Sequence, residues 1–333
     1  MIPTIDLAPG LTVSRIGFGG MALTPVYGGM PEADAERTLN EVIDAGITFV
    51  DTADVYGDNE DLVGRVLATR RDDVQLATKF GINAPVGSQP APGEKAVRGD
   101  RDYVRSACES SLRRLGIDVI DLYYMHRRDL EIPIEETVGA MAELVAEGKV
   151  RHLGLSEVTG SELRAAAAVH PIAAVQSEWS IWSRDVERAV VPAAAQLGVG
   201  FVPYSPLGRG FLTGTLSKAD VESSLRKGQE RYDQGFDANQ AVLAVIAGVA
   251  DELGATSAQV VLAWLYAQGE RFGLPVVPIP GSRKSSRMVE NAGALDLVLS
   301  DDQLQRLDGV AEQVVGERNI RRGDKTWISS GRE

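Results

Sequence analysis

The sequence predicts an α/β protein whose strands close into a (β/α)8 TIM barrel. Short apolar runs rich in β-branched residues alternate with helical patterns about eight times along the 333 residues. Strict alternation of this kind is typical of a parallel sheet, and no break in composition divides the chain, so we expect one domain over residues 1–333. The first strand ends in Gly17-Phe18-Gly19-Gly20 and lacks the third glycine of the G-x-G-x-x-G loop, which disfavours an open dinucleotide-binding sheet.

The individual elements follow from local periodicity. Apolar runs predict strands at residues 16–19, 47–51, 74–79, 119–125, 150–156, 172–176, 199–204 and 275–279. In the first helix, Ala35, Leu39 and Val42 recur at the spacing of one helix face. Gly46 is typical of a helix end, and Ser161 is a candidate N-cap. The predicted helices cover residues 32–45, 60–67, 103–115, 134–147, 161–170, 185–197, 239–253, 257–267 and 285–292.

Two short alternating segments precede the first barrel strand. Residues 4–7 and 11–14 flank Pro9-Gly10, a pair that forms turns, and so predict a β-hairpin. We expect this N-terminal β-hairpin to cap the barrel bottom. The segments 81–101, 213–236 and 311–333 are polar and do not follow the repeat. Long loops often carry function, and those that follow barrel strands lie on the catalytic face.

Composition excludes several classes of function. The chain has 34 Lys and Arg against 47 Asp and Glu, a net charge of −13, which argues against nucleic-acid and anionic-membrane partners. Cys108 is the only cysteine, so neither an intrachain disulfide nor a cysteine-based zinc site is possible. The first residues lack the pattern of a secretory signal, and no apolar stretch approaches the length of a membrane span. We therefore expect a cytoplasmic protein.

Four polar residues lie at or just after three successive predicted strands. Asp51 and Lys79 end the second and third strands, Tyr56 follows five residues after Asp51, and His126 ends the fourth. The rim they share is where a barrel of this kind carries its active site. An ammonium beside a phenol stabilises the phenolate, a carboxylate keeps the ammonium in place, and a histidine can orient a reacting oxygen. This set can protonate a carbonyl oxygen as hydride reaches its carbon, and it needs no metal.

The sequence resembles the aldo-keto reductase superfamily over almost the whole chain. Its segments at 176–180 and 204–210 are similar to the branch that includes pyridoxal reductases and aryl-alcohol-type reductases. The segments that carry the resemblance are 17–21 (GFGGM), 49–57 (FVDTADVYG), 77–79 (ATK), 110–115 (SSLRRL), 118–126 (DVIDLYYMH), 148–156 (GKVRHLGLS), 202–210 (VPYSPLGRG) and 278–283 (PIPGSR).

The resemblance implies an NADPH-dependent reductase that converts aldehydes or ketones to alcohols. By the family's pattern, Tyr56 is the general acid, Lys79 lowers its pKa, Asp51 pairs with Lys79 and His126 orients the carbonyl. The partner is then a small-molecule carbonyl compound. The physiological carbonyl, the direction of the reaction and the oligomeric state stay open.

The resemblance also implies a cofactor site along the same rim. Tyr204 packs on the nicotinamide, and Ser156 and Gln176 hold its carboxamide. The chain departs from the family at Glu157, where many members have Asn, and a carboxylate cannot donate to the carboxamide oxygen unless it is protonated. Further cofactor contacts are expected from Gly19, Gly20, Met21, Asp51, Ser205, Pro206, Leu207, Gly208, Arg209, Gly210, Ile279 and Gly281.

The segment after the last strand has the features of a phosphate site. Glycine and serines at a helix start offer backbone N–H groups to an anion, and basic residues stand among them. In the family this stretch binds the 2′-phosphate and the adenine, so NADP(H) is expected over NAD(H). The residues concerned are Ser282, Arg283, Lys284 and Arg287, with Glu290 and Asn291 completing the family's R-x-x-E-N spacing.

The walls of the substrate pocket are the least determined part. Candidates are Met21, Tyr27, Trp179 and the segment that begins at 81, with core packing as the equal alternative for Trp179. Trp327 in the tail is a candidate for closing the pocket, with a place on a surface tail as the equal alternative.

Two functions other than a reductase are conceivable for a barrel with these residues. A metal hydrolase on the same barrel is disfavoured because the three histidines lack ligand spacing. An NADPH-binding regulatory subunit without significant turnover is the alternative to a reductase.

Overall fold

The computed structural model describes residues 2–27, 29–85, 88, 90–224, 226–318 and 324–333. Its strands are β1 (Thr4–Ala8), β2 (Leu11–Ser14), β3 (Phe18–Gly19), β4 (Phe49–Asp51), β5 (Gln75–Phe80), β6 (Ile120–Met125), β7 (Val150–Ser156), β8 (Ile172–Glu178) and β9 (Gly200–Tyr204). Its helices are α1 (Glu32–Asp44), α2 (Asn59–Arg70), α3 (Arg101–Leu115), α4 (Ile134–Ala146), α5 (Gly160–Val169), α6 (Val190–Leu197), α7 (Lys218–Glu222), α8 (Gln240–Leu253), α9 (Ser257–Phe272), α10 (Ser285–Ala292) and α11 (Asp301–Asp308).

Strands β3 to β9 form one parallel sheet in which each strand pairs with the next along the chain. Residues 275–280 close the sheet into a barrel, because Val277 donates to Phe201 of β9 on one side and the Pro278 carbonyl accepts from Gly17 on the other. Pro278 and Pro280 have no N–H to donate, so this eighth strand makes only part of a ladder. The predicted barrel is confirmed, with its last strand reduced to an isolated bridge at Val276.

The predicted N-terminal hairpin is also confirmed. β1 and β2 pair antiparallel around Pro9-Gly10, and their apolar side chains belong to the same core cluster as the inward residues of the barrel. Leu7 packs so closely on β9 that a Cβ added to Gly200 would lie 2.4 Å from it. The hairpin therefore covers the amino-terminal end of the barrel and leaves the other end open.

Two predicted helix starts were wrong in detail. The N-cap of α5 is Thr159, whose side chain accepts from the Glu162 amide in a capping box, so Ser161 lies inside the helix. The predicted helix 185–197 divides into a short turn at Asp185–Glu187 and α6. Pro192 explains the division, because a proline is tolerated in the first turn of a helix and disrupts a longer one.

The strand register places the polar residues of interest at one rim. Asp51 pairs with Ala77 and Lys79 with Tyr124, so β4, β5 and β6 run side by side and their carboxyl ends lie at the same rim. Within the described residues, no single helix is long and apolar enough to span a membrane; α8 and α9 pass that test only as a pair bent by 91°, on length and composition alone.

Candidate active site

A cleft of about 1740 Å³ opens at the carboxyl ends of the barrel strands. The structure brings the predicted site residues together here: all of them line the cleft except Lys79, Gly20 and Gly208. Lys79 is fully buried behind the surface of the cleft. The two glycines face the protein interior, since a Cβ on Gly20 would meet the Asp51 carbonyl at 2.7 Å and one on Gly208 would meet the Trp182 ring at 2.7 Å.

Lys79 and Asp51 form a buried ion pair at the floor of the cleft. The Lys79 Nζ donates to Asp51 Oδ1 at 2.5 Å and to the Thr52 carbonyl at 2.7 Å. The second carboxylate oxygen of Asp51 accepts from Gln176 Nε2 at 2.9 Å. Three neighbouring elements thus hold the pair in one position.

The electrostatics keep Lys79 charged. Burial alone would lower the pKa of the Lys79 ammonium, but the adjacent Asp51 carboxylate outweighs it, and the pKa lies above its ordinary value. Burial raises the pKa of Asp51, and the Lys79 ammonium opposes that rise. The result is a preorganised cation in a place that water does not reach.

Tyr56 lies over this cation. The Lys79 Nζ is 5.1 Å from the centroid of the Tyr56 ring. Burial raises the pKa of the Tyr56 hydroxyl above its ordinary value, and the Lys79 ammonium pulls it down only in part. The Lys79 ammonium thus acts in the direction that the resemblance implies, but burial outweighs it and the pKa of Tyr56 is raised overall. A tyrosine in this state is protonated at neutral pH, which is the form that a proton donor needs.

His126 completes the group. Its ring contacts Tyr56 edge-on, with 6.0 Å between the ring centroids. Burial, helped by the charges of Lys79 and Arg127, holds the pKa of His126 well below its ordinary value, so the imidazole is neutral. Its Nδ1 is buried without a hydrogen-bond partner. A neutral imidazole beside a phenol hydroxyl can bind and orient one oxygen atom.

Glu157 does not serve the cleft. Its carboxylate accepts from both terminal nitrogens of Arg318, at 2.9 and 3.1 Å, from the Tyr204 hydroxyl at 2.8 Å and from the Ser329 amide at 3.0 Å. Burial acts to raise the pKa of Glu157, but the Arg318 guanidinium prevails and holds it well below its ordinary value. The acidic replacement for Asn therefore anchors the C-terminal tail rather than facing the cleft.

The tail forms one wall of the cleft through this anchor. Arg332 binds Glu162 at 2.9 Å, and Arg318 also pairs with Asp185 at 2.8 Å. Trp327 lines the cleft and lies 5.4 Å from the guanidinium carbon of Arg127.

Of the other candidates for the pocket wall, some line the cleft and one lies in the core. Met21 and residues of the segment after β5, such as Ile82, line the cleft. For Trp179 the core alternative holds, because it is fully buried and packs edge-on against Phe201 and Trp264. The side chain of Tyr27 lies outside the described residues.

Backbone strain is concentrated at the rim. Glu157, Ser205 and Arg209 are the non-glycine residues with positive φ in the described chain, at 50°, 49° and 53°. Such conformations persist only where the surroundings impose them, and they are frequent at functional sites.

The far end of the cleft is open and basic. Arg283, Lys284 and Arg287 are exposed around the start of α10 and line the cleft. Gly281 permits a close approach of two backbone segments there, because a Cβ on it would lie 2.6 Å from the Gly19 carbonyl. This end can accept an extended anion.

Sequence reasoning missed Arg127 and Arg318. Arg127 follows His126 directly, so its position at a strand end was a usable signal. Arg318 is 161 residues from Glu157, and no local pattern connects the two.

The chain was compared with known proteins. The aldo/keto reductase family model matches residues 15–312. A probable aldo-keto reductase of Glycine max is 46% identical over 304 residues, which are 90% of this chain and 85% of that protein.

Solved structures agree with this match. The glycerol dehydrogenase of Gluconobacter oxydans superposes with a TM-score of 0.79 at 27% identity, covering 94% of this chain and 95% of that one. An aldo/keto reductase of Klebsiella pneumoniae in complex with NADP and acetate superposes with a TM-score of 0.70 at 28% identity, covering 97% and 99%.

Proposed function

The chain belongs to the aldo/keto reductase family and is an NADP-dependent oxidoreductase; on that premise we propose that it reduces aldehydes or ketones to alcohols with NADPH. The observation that carries the proposal is the grouping of Tyr56 and His126 at the cleft over the buried Lys79–Asp51 pair. We also propose that residues 1–333 act as one domain and that the protein is cytoplasmic. A net charge of −13 supports the further proposal that it has no nucleic-acid or membrane partner.

The proposed roles follow from the states of these side chains. NADPH, when bound, supplies the hydride. Tyr56 is protonated and donates its proton to the carbonyl oxygen, and the Lys79 ammonium stabilises the phenolate that forms. The neutral His126 donates a hydrogen bond to the same oxygen and so orients the carbonyl. Asp51 keeps Lys79 charged and in place.

The residues along the cleft fit this cofactor. Gly19 and Gly281 line the cleft side by side, and the exposed cations at α10 suit a phosphate. We propose that Ser156, Gln176 and Tyr204 hold the nicotinamide end. Residues 205–207, 209 and 210 would flank the middle, with Met21 and Ile279 opposite. The phosphate and adenine end would be held by Ser282, Arg283, Arg287, Glu290 and Asn291.

Replacing Tyr56 with Phe tests the proposal. We expect turnover of 4-nitrobenzaldehyde and pyridoxal, followed as NADPH oxidation, to fall by at least about 10²-fold, because the proton donor is lost. NADPH affinity, measured by fluorescence titration, should stay within about threefold, since the ring remains. Undiminished turnover in Tyr56→Phe would contradict the proposed acid. A wild-type protein that binds NADPH tightly but reduces no carbonyl compound would indicate the regulatory subunit instead.

A further inference from the structure

A second cation lies in the catalytic end of the cleft, and the proposed proton transfer does not use it. Arg127 lines the cleft directly after His126, although only 6% of its surface is exposed. Its Nη1 donates to the His126 carbonyl at 2.8 Å and to Ser156 Oγ at 3.3 Å. Its Nε is buried and has no hydrogen-bond partner. The guanidinium thus retains donor capacity in a place that water barely reaches.

The carboxylates near Arg127 are engaged elsewhere. Asp51 is paired with Lys79, and Glu157 is held by Arg318, Tyr204 and Ser329. Among the described residues, no carboxylate lies within ion-pair distance of the Arg127 guanidinium. A buried charge is costly unless an opposite charge reaches it, so this site favours an incoming anion.

Two aromatic rings fix the guanidinium. Its central carbon lies 5.4 Å from the Trp327 ring centroid and 6.0 Å from that of Tyr204. Both rings line the same cleft, and Tyr204 is itself hydrogen-bonded to Glu157. Because the cation is already positioned, binding an anion there loses little side-chain entropy.

We propose that Arg127 binds an anionic group of the substrate, and that the preferred substrates are aldehydes or ketones that carry a carboxylate. The planar guanidinium matches a carboxylate in shape and donor geometry. Arg127 and His126 line the same cleft, so one substrate can reach both with its anionic group and its carbonyl. This inference rests on the proposed reductase activity and adds the chemical class of its substrate.

The test uses two aldehydes of the same ring skeleton, one with a carboxylate and one with its neutral methyl ester. 4-Carboxybenzaldehyde and its neutral methyl ester are reduced with saturating NADPH by the wild type and by Arg127→Ala and Arg127→Gln. The wild type should show the lower KM for the carboxylate. Both variants should raise that KM at least about tenfold, a loss of about 1.4 kcal/mol, and change the KM of the ester less than about threefold. Arg127→Lys should restore part of the preference, since it keeps the charge and loses the planar fork.

A binding measurement separates this inference from the activity. Benzoate and benzamide are titrated into the NADPH-loaded protein with tryptophan fluorescence as the signal, which Trp327 can report. Benzoate that binds more tightly than benzamide to the wild type, but not to Arg127→Gln, supports the anion site. If this result is found and neither aldehyde is reduced, the proposed reductase activity is contradicted and the anion site is not.

Three outcomes overturn the inference. The first two are KM values that change equally for the acid and the ester in the Arg127 variants, and KM values that change for neither. The third is a raised Kd for NADPH with both substrates unaffected, which would assign Arg127 to the cofactor.

Discussion

The two ends of the cleft hold their charges in opposite ways. At the barrel mouth, Lys79 and Asp51 are 0% and 2% exposed and bonded to each other. Around the start of α10, Arg283, Lys284 and Arg287 lie exposed to solvent. A charge that stabilises a transition state is strongest where water is excluded, and there it must be paired. A charge that captures a diffusing phosphate has to be reachable. Burial therefore distinguishes the catalytic end of this cleft from the end that is proposed to bind the 2′-phosphate.

The largest expected effect is at the buried end. Lys79→Met removes the cation that stabilises the Tyr56 phenolate, so kcat should fall about 10²–10⁴-fold. It also leaves Asp51 without its partner, at a cost of about 3–5 kcal/mol in the free energy of unfolding. Steady-state kinetics and urea denaturation measure the two effects.

A double variant separates these effects. Asp51→Asn combined with Lys79→Met removes the unpaired charge, so stability should recover in part while kcat stays low. Lys218→Met, at a surface lysine paired with Asp237, is the matched control and should change neither. Full activity in Lys79→Met would contradict the view that the buried charge at the barrel mouth stabilises the transition state.

The catalytic end was predictable because its residues follow from strand order. A parallel barrel brings the ends of consecutive strands together, so Asp51, Lys79 and His126 had to meet once the strands were recognised. The anchor between Glu157 and Arg318 was not predictable. It joins residues 161 apart, and the tail that carries Arg318 lies beyond residue 312, where the family match ends. The position of Trp179 could not be decided either, because aromatic residues look alike in sequence whether they line a cleft or a core.

The next largest effect is expected at the exposed end of the cleft. Arg287→Ala should raise the KM for NADPH about 10- to 100-fold through loss of a charge-assisted contact to the 2′-phosphate, and leave the KM for NADH and the stability unchanged. Added salt should raise the KM for NADPH in the wild type and less in the variant, because exposed charges are screened. Arg113→Ala, at an exposed arginine of α3, is the control. Equal changes for NADPH and NADH would remove the phosphate assignment.

The smallest effect on activity is expected from Glu157→Gln, a buried charge that contacts no reacting atom. The change leaves Arg318 with Asp185 as its remaining partner and weakens the anchor of the tail, so stability should fall by about 2–4 kcal/mol. Trp327 should then become mobile, raising the KM for carbonyl compounds a few-fold while kcat changes less than about threefold. Hydrogen exchange of residues 324–333 reports the loosening directly.

The pH dependence of this loss in stability shows whether the buried charge of Glu157 or its packing is the cause. The folded-state pKa of Glu157 lies well below its ordinary value. Its contribution is therefore complete above the unfolded pKa, about 4.3, and declines as pH falls towards the folded pKa. The stability difference between wild type and Glu157→Gln should be constant near neutral pH and shrink below about pH 4. Glu131→Gln, at an exposed carboxylate paired with Lys95, should show no difference at any pH. A difference that persists unchanged into acid would mean that packing, rather than the buried charge, holds the tail over the catalytic end.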